Sequence, residues 1–269
     1  MRTSKAFAKQ SKVLAYDFAR SALEAGCVLA GSTVQVRSSS NVFNSAGTGK
    51  LINQGNQFLD KRDYEKARQY YAAAVAQDPT AWGPYINRAV VFIDQQKWNL
   101  ALQDLNSVIR LKPGHLVAAL LRGDVNQHLG NYSRALDDYD KLASITASQL
   151  PLTCAWALNG RAWVRATCPD ASFRNGKQAV ADAKTACTSM SWRDSNCVDT
   201  LAAAYAETGD FESAIRYEQQ AIRQADQDEL IRLKKDPERR RAVTQSVLAS
   251  YQHHLAAYER HQPWRSNLN

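Results

Sequence analysis

The chain has 269 residues, 45% of them hydrophobic and 22% charged, with only 12 Gly and 7 Pro. This balance excludes low-complexity, collagen-like and wholly disordered chains and allows a sizeable core or a run of stacked modules. Lys and Arg number 34 against 26 Asp and Glu, a formal charge of +8, which points to nucleic acid or an anionic surface only if the charge is concentrated where a ligand would lie.

Residues 1–47 open with Arg2, Lys5, Lys9 and Lys12, pass through an apolar stretch broken by Asp17, Arg20 and Glu24, and end in the Ser-rich run RSSSNVFNSAGTG. The three charges interrupt the continuous apolar core of a secretory signal and keep every run below the roughly 18 residues of a membrane span. The segment reads as a basic, poorly ordered leader and linker, which favours a cytoplasmic location over export and predicts no transmembrane helix. Val13, Leu14, Phe18, Leu23, Val28 and Leu29 also make residues 12–36 a candidate internal occupant of any groove the rest of the chain forms.

From residue 48 the sequence repeats every 34 residues. Ala67, Ala101 and Ala135 keep this spacing, as do Pro79 and Pro113, then Gly55, Ala89 and Gly123, then Tyr64, Trp98 and Tyr132. The phrases DYEKARQYYAAAVAQDP, KWNLALQDLNSVIRLKP and NYSRALDDYDKLASI each start on an aromatic and continue with apolar positions at helical spacing, as second helices of hairpins. LINQGNQFL, YINRAVVFI and ALLRGDVNQHL precede them as first helices, with a small residue where the two helices cross.

This pattern resembles the tetratricopeptide repeat (TPR) family, whose unit is a helix-turn-helix. The resemblance implies an all-α, right-handed superhelical solenoid of about five repeats, at about 48–81, 82–115, 116–149, 155–193 and 195–227. The fourth needs about five extra residues in its turn around TCPDASFRNG and places Arg165 in a column usually apolar; its closing pair with the fifth is similar to those of bacterial TPR proteins. A capping helix and tail are expected over 228–269, with Pro237 in its first turn, Val243, Val247, Tyr251, Leu255 and Tyr258 on one face, and Pro263 as the stop.

The resemblance also implies a concave groove lined by first helices. Its candidate residues are Ile52, Asn56, Leu59, Ile86, Asn87, Val90, Ile93, Leu120, Asp124, Gln127, Trp156, Asn159 and Trp163, with Asn196, Asp199, Ala203 and Ala206 in the same columns of the fifth repeat. Trp156 and Trp163, seven apart, share a helical face as a candidate aromatic shelf; the alternative is that these apolar residues are core. The carboxylate clamp of chaperone adaptors is not expected. Asn56 and Asn87 match its two amides, but its basic columns hold Ile52, Val117 and Leu121, which cannot neutralise a carboxylate.

Catalytic and metal motifs are weak. SAGTGKL at 45–51 departs from a phosphate loop at Asn44 and Leu51 and reads as linker. His254 and His261 are expected on a solvated face of the cap helix, with a surface metal contact as the lesser reading. Cys27, Cys154, Cys168, Cys187 and Cys197 lack paired spacing and are expected as free thiols, although Cys187 could reach Cys154 or Cys197. No nucleophile, base and orienting group assemble, and no cofactor is expected.

The charge, once located, lies in the flanks: +4 in residues 1–47, +3 in 228–269 and +1 across the repeats. The expected function is a non-enzymatic scaffold that binds a protein or peptide of unknown identity. The alternative, an electrostatic binder of nucleic acid or anionic membrane through Arg232, Lys234, Lys235, Arg239, Arg240 and Arg241, is disfavoured because Asp236 and Glu238 interrupt the cluster and no aromatics interleave for stacking.

Overall fold

A computed structural model describes residues 46–144, 151–232 and 237–266. Among these are eleven α-helices and no strand: α1 Ala46–Asp60, α2 Tyr64–Gln77, α3 Trp82–Asp94, α4 Trp98–Leu111, α5 Leu116–His128, α6 Tyr132–Ala143, α7 Pro151–Thr167, α8 Gly176–Ser189, α9 Ser195–Glu207, α10 Phe211–Arg232 and α11 Pro237–Glu259. They fall into two compact units that meet in sequence between Val125 and Asn126. Residues 12–36 and most side chains of the 232–241 basic cluster lie outside the described residues. No described helix is long and apolar enough to cross a membrane.

The turn inside each hairpin follows from backbone conformation. Arg62, Gln96 and Gly130 recur 34 residues apart and all have positive φ (60°, 58° and 75°), as does Gly209 at 84°. A left-handed residue at this point ends a helix and lets its own N–H and that of the next residue reach back to the helix's last carbonyls. Lys97 N bonds Phe92 O at 2.8 Å and Gln96 N bonds Ile93 O at 2.9 Å, and the same pair of bonds recurs around Arg62, Gly130 and Gly209. The following helix starts one residue after the Schellman turn, often with a side-chain cap: Asp63 accepts from Lys66 N at 3.1 Å and Asp210 from Ser213 N at 3.0 Å.

The two helices of a hairpin approach where the sequence is small. A Cβ added to Gly55 would stand 2.4 Å from the Tyr71 ring; between successive repeats, one added to Gly160 on α7 would stand 2.6 Å from the Tyr139 ring on α6. Both tyrosines are fully buried. Ion pairs add a second tie: Arg88 binds Asp104 through Nε and Nη2 at 2.8 and 2.7 Å. In the fourth repeat Arg161 grips Asp182 in the same way, and Arg165 reaches the same carboxylate at 2.9 Å. This explains the cation in a column expected to be apolar.

Several boundaries differ from expectation. Residues 46–51 are helical rather than linker, because Thr48 is buried and Gly47 lies against the Gln77 side chain. The first helix of the fourth repeat starts at Pro151. The extra residues of that repeat form a 3-10 turn at Ala171–Phe173, pinned by Arg174, which donates to Cys168 O, Pro169 O and Glu207. Cys154, Cys168, Cys187 and Cys197 are buried free thiols.

Gly55→Ala should destabilise the amino-terminal unit by about 1–3 kcal/mol, because a rigid buried ring must move to admit one methyl and this outweighs the gain in helix propensity. Urea unfolding checks this, and an unchanged or raised midpoint would remove Gly55–Tyr71 contact as the determinant of helix approach.

Candidate functional site

In the unit ending at Val125, the expected groove residues divide into two sets. Ile52, Ile86, Val90, Ile93 and Leu120 are buried, and Ile52 joins the core with Ala67, Tyr71, Ala74 and Val91. Asn56, Leu59, Asn87 and Asp124 are half-buried. Two of these are held by hydrogen bonds: the Tyr71 hydroxyl donates to Asn56 Oδ1 at 2.7 Å, and Asn87 Nδ2 donates to the same oxygen at 3.0 Å. Asn56 lies on α1 and Asn87 on α3, so the bond ties the first helices of successive repeats and leaves a fixed amide strip between them.

His115 belongs to this unit and caps α5. Its Nδ1 accepts from Ala118 N at 3.2 Å, and its ring lies edge-on to Trp82 at 4.5 Å. Burial first, and then the Lys112 ammonium, push it down to about 4. The bond from Ala118 N also favours neutral imidazole, since a protonated Nδ1 cannot accept.

In the unit from Asn126, Gln127, Trp156 and Asn159 are half-buried and Trp163 is buried. The Tyr139 hydroxyl donates to Gln127 Oε1 at 3.3 Å. Trp163 is not an exposed member of an aromatic shelf. It belongs to the core of this unit, with its ring 5.8 Å from that of His254 on α11. The last helix and the tail after it lie against the inner columns of repeats four and five. Tyr251 reaches Ser195 at 3.4 Å, Ser266 N bonds Thr167 O at 2.9 Å, and Arg265 donates to Ala166 O at 3.3 Å. Residues of α11 and of the stretch to 266 therefore cover Trp163 and its neighbours on α7 and α9.

His254 requires the main correction. It was expected on a solvated face, but it is fully buried, with Nδ1 2.7 Å from Asp199 Oδ1 on α9 and 3.8 Å from Glu218 Oε1 on α10. His261, by contrast, is exposed at the helix end, stacked on Phe211 at 5.1 Å. Asp199 and Glu218 are buried as well. Burial pushes the Glu218 carboxyl well above the usual carboxylate range, reinforced by the Asp199 charge and a hydrogen bond between the two. The signal for this site was present in the sequence: His254 falls three residues after Tyr251 and four before Tyr258, within the apolar stripe of the cap helix.

Residues 52–115 and 86–149 match a family model described as tetratricopeptide repeat. Sperm-associated antigen 1 of Rattus norvegicus is 36% identical over 89 residues, 33% of this chain and 10% of that protein. Mitochondrial import receptor subunit TOM70 of Homo sapiens is 32% identical over 91 residues, 32% of this chain and 15% of that protein. The chain thus spans only about a tenth to a sixth of these relatives. Among solved structures, a tetratricopeptide repeat protein from Parabacteroides merdae superposes with a TM-score of 0.54 at 18% identity, covering 94% of this chain and 97% of that one. The MamA protein does so with a TM-score of 0.51 at 14% identity, covering 71% and 94%. These structures share the superhelical repeat fold.

Acidification tests His115. Its depressed value means the histidine is neutral in both states above about pH 6.5, while below that the unfolded chain takes up a proton that the folded chain refuses until about pH 4. Stability is therefore complete at neutral pH and lost as pH falls through this window, by up to about 3 kcal/mol. His115→Gln should flatten that part of the urea-midpoint profile; a profile as steep as the parent's would assign the loss to other groups.

Proposed function

We propose that this chain, a member of the tetratricopeptide repeat family, is a protein-interaction scaffold without catalytic chemistry, and that it holds a peptide or protein segment on the first helices of its amino-terminal repeats. The observation that carries this reading is the amide strip of Asn56 and Asn87, half-buried and fixed by Tyr71. Preorganised amides can bond the backbone of an extended segment with little further loss of side-chain freedom. Leu59 beside them supplies apolar contact, and the buried Ile52, Ile86, Val90, Ile93 and Leu120 support the strip from beneath.

The segment is gripped along its length and not by a terminal carboxylate, because the three columns that would carry cations hold the buried aliphatics Ile52, Val117 and Leu121. Asp124 on α5 extends the candidate face within the same unit, whereas Gln127, Trp156, Asn159 and the core residue Trp163 belong to the other unit. A protein partner fits the near-neutral repeats better than nucleic acid does.

A photo-cross-linker at Leu59 in the full chain should capture a protein segment. Asn87→Ala should weaken its binding about tenfold, the order expected for one lost buried hydrogen bond, with helix content unchanged. Trp163→Ala should instead lower stability by about 3–5 kcal/mol and leave the affinity of the folded fraction intact. The opposite pattern, full binding by Asn87→Ala and lost binding by a stable Trp163→Ala, would move the site to the carboxyl-terminal unit. Binding that falls steeply with salt would favour the electrostatic alternative.

A further inference from the structure

Three ionisable side chains from three different helices meet in the core of the carboxyl-terminal unit. Asp199 on α9, Glu218 on α10 and His254 on α11 each present one ligand atom, and these atoms all lie within 4.8 Å of one another. Relative exposure is 2%, 0% and 0%. Two carboxylates and an imidazole without water are a costly arrangement unless their charge is neutralised. Asp199 has His254 at 2.7 Å. Glu218 is left short: it is wholly buried, and no hydrogen-bond donor of the protein reaches either of its oxygens. The fully buried Tyr258 hydroxyl, also without a partner, senses the charge of both carboxylates.

A group of this kind needs either a proton or a cation at its centre. We propose that Asp199, Glu218 and His254 bind one divalent first-row transition-metal ion, of the zinc class, which staples the cap helix to the last repeat. Two carboxylates and a neutral imidazole balance the charge of such an ion, and the imidazole selects it over calcium or magnesium. Ligands about 2.0–2.2 Å from a tetrahedral ion stand roughly 3.3 Å apart. The 2.7 Å contact of His254 with Asp199 thus opens and the 3.8 Å contact with Glu218 closes, each by about half an ångström. Loading displaces the proton held between the carboxylates and any proton on Nδ1, and because α11 seals the site, it accompanies docking of that helix.

The test uses the full chain, stripped with a chelator and titrated with Zn2+ against a chromophoric competitor. One equivalent should bind and raise the thermal midpoint. Co2+ loading should produce visible ligand-field bands, and X-ray absorption of the Zn2+ form should show only nitrogen and oxygen neighbours. Glu218→Gln conserves volume and should weaken binding by more than the roughly 10–100-fold typical of losing a ligand's supporting partner. His254→Gln should do the same, and His261→Gln should bind like the parent.

No stoichiometric binding by the parent chain would overturn the proposal and leave a proton-sharing cluster. Sulfur neighbours would reassign the ion to the buried cysteines, and dependence on His261 would reassign it to the surface. Both spectroscopic readouts are taken on the parent chain, so the proposal stays testable even if a variant fails to fold.

Discussion

The structure depends on how closely neighbouring helices can approach, within a hairpin and from one repeat to the next, and a tyrosine against a glycine fixes that distance. Tyr71 fills the space left by the missing side chain of Gly55, and Tyr139 does so at Gly160. Each ring also spends its hydroxyl on a polar residue in an expected groove column, Asn56 for Tyr71 and Gln127 for Tyr139. The same side chain thus sets helix spacing and orients a half-buried amide, and a substitution that loosens the core also loosens that amide. Packing and the orientation of these polar groups cannot be varied independently at these positions.

The carboxyl terminus meets a different demand. Here α11 covers the apolar face of the fifth repeat. It does so with Val247, Tyr251 and Tyr258, but also with a buried histidine facing two buried acids. Polar groups at such a seam contribute less to net stability than well-packed hydrocarbon would, yet removing a single partner is costly because it leaves the others unpaired. The seam therefore admits one docked position of the helix and penalises alternatives. Thr167 with Ser266 and Arg265 with Ala166 O extend the fixed register into the tail.

Much of this architecture was legible in the 34-residue period. Small residues at 55, 89 and 123 and aromatics at 64, 98 and 132 marked the hairpins before any coordinate did. The turns were less visible: Gly130 signals a left-handed residue, but Arg62 and Gln96 occupy the same conformation without a glycine to announce it. The helical start at Ala46 was hidden because Gly47 and Gly49 look like linker, whereas burial of Thr48 secures them in a turn. The misplacement of His254 and the open choice at Trp163 between shelf and core have one cause. A helical stripe identifies which residues are buried together, but a histidine within it is read by its chemistry as surface, and a tryptophan in a groove column reads equally as available or as core. Which later helix covers a column is a property of tertiary order that the period does not encode.

The two units consequently expose their inner columns differently. In the carboxyl-terminal unit the columns at Trp163 and Asp199 are taken by the chain itself, and an external segment would have to displace a helix anchored by buried charge. In the amino-terminal unit the amides of Asn56 and Asn87 retain partial exposure while their geometry is fixed. On the proposed function, recognition there would cost little reorganisation, since the polar groups are already oriented, and specificity would fall to the shape and hydrogen-bonding pattern of the segment. The net charge of +8 would enter such a contact only weakly, because most of its excess lies outside the repeats and is screened within about a Debye length at physiological salt.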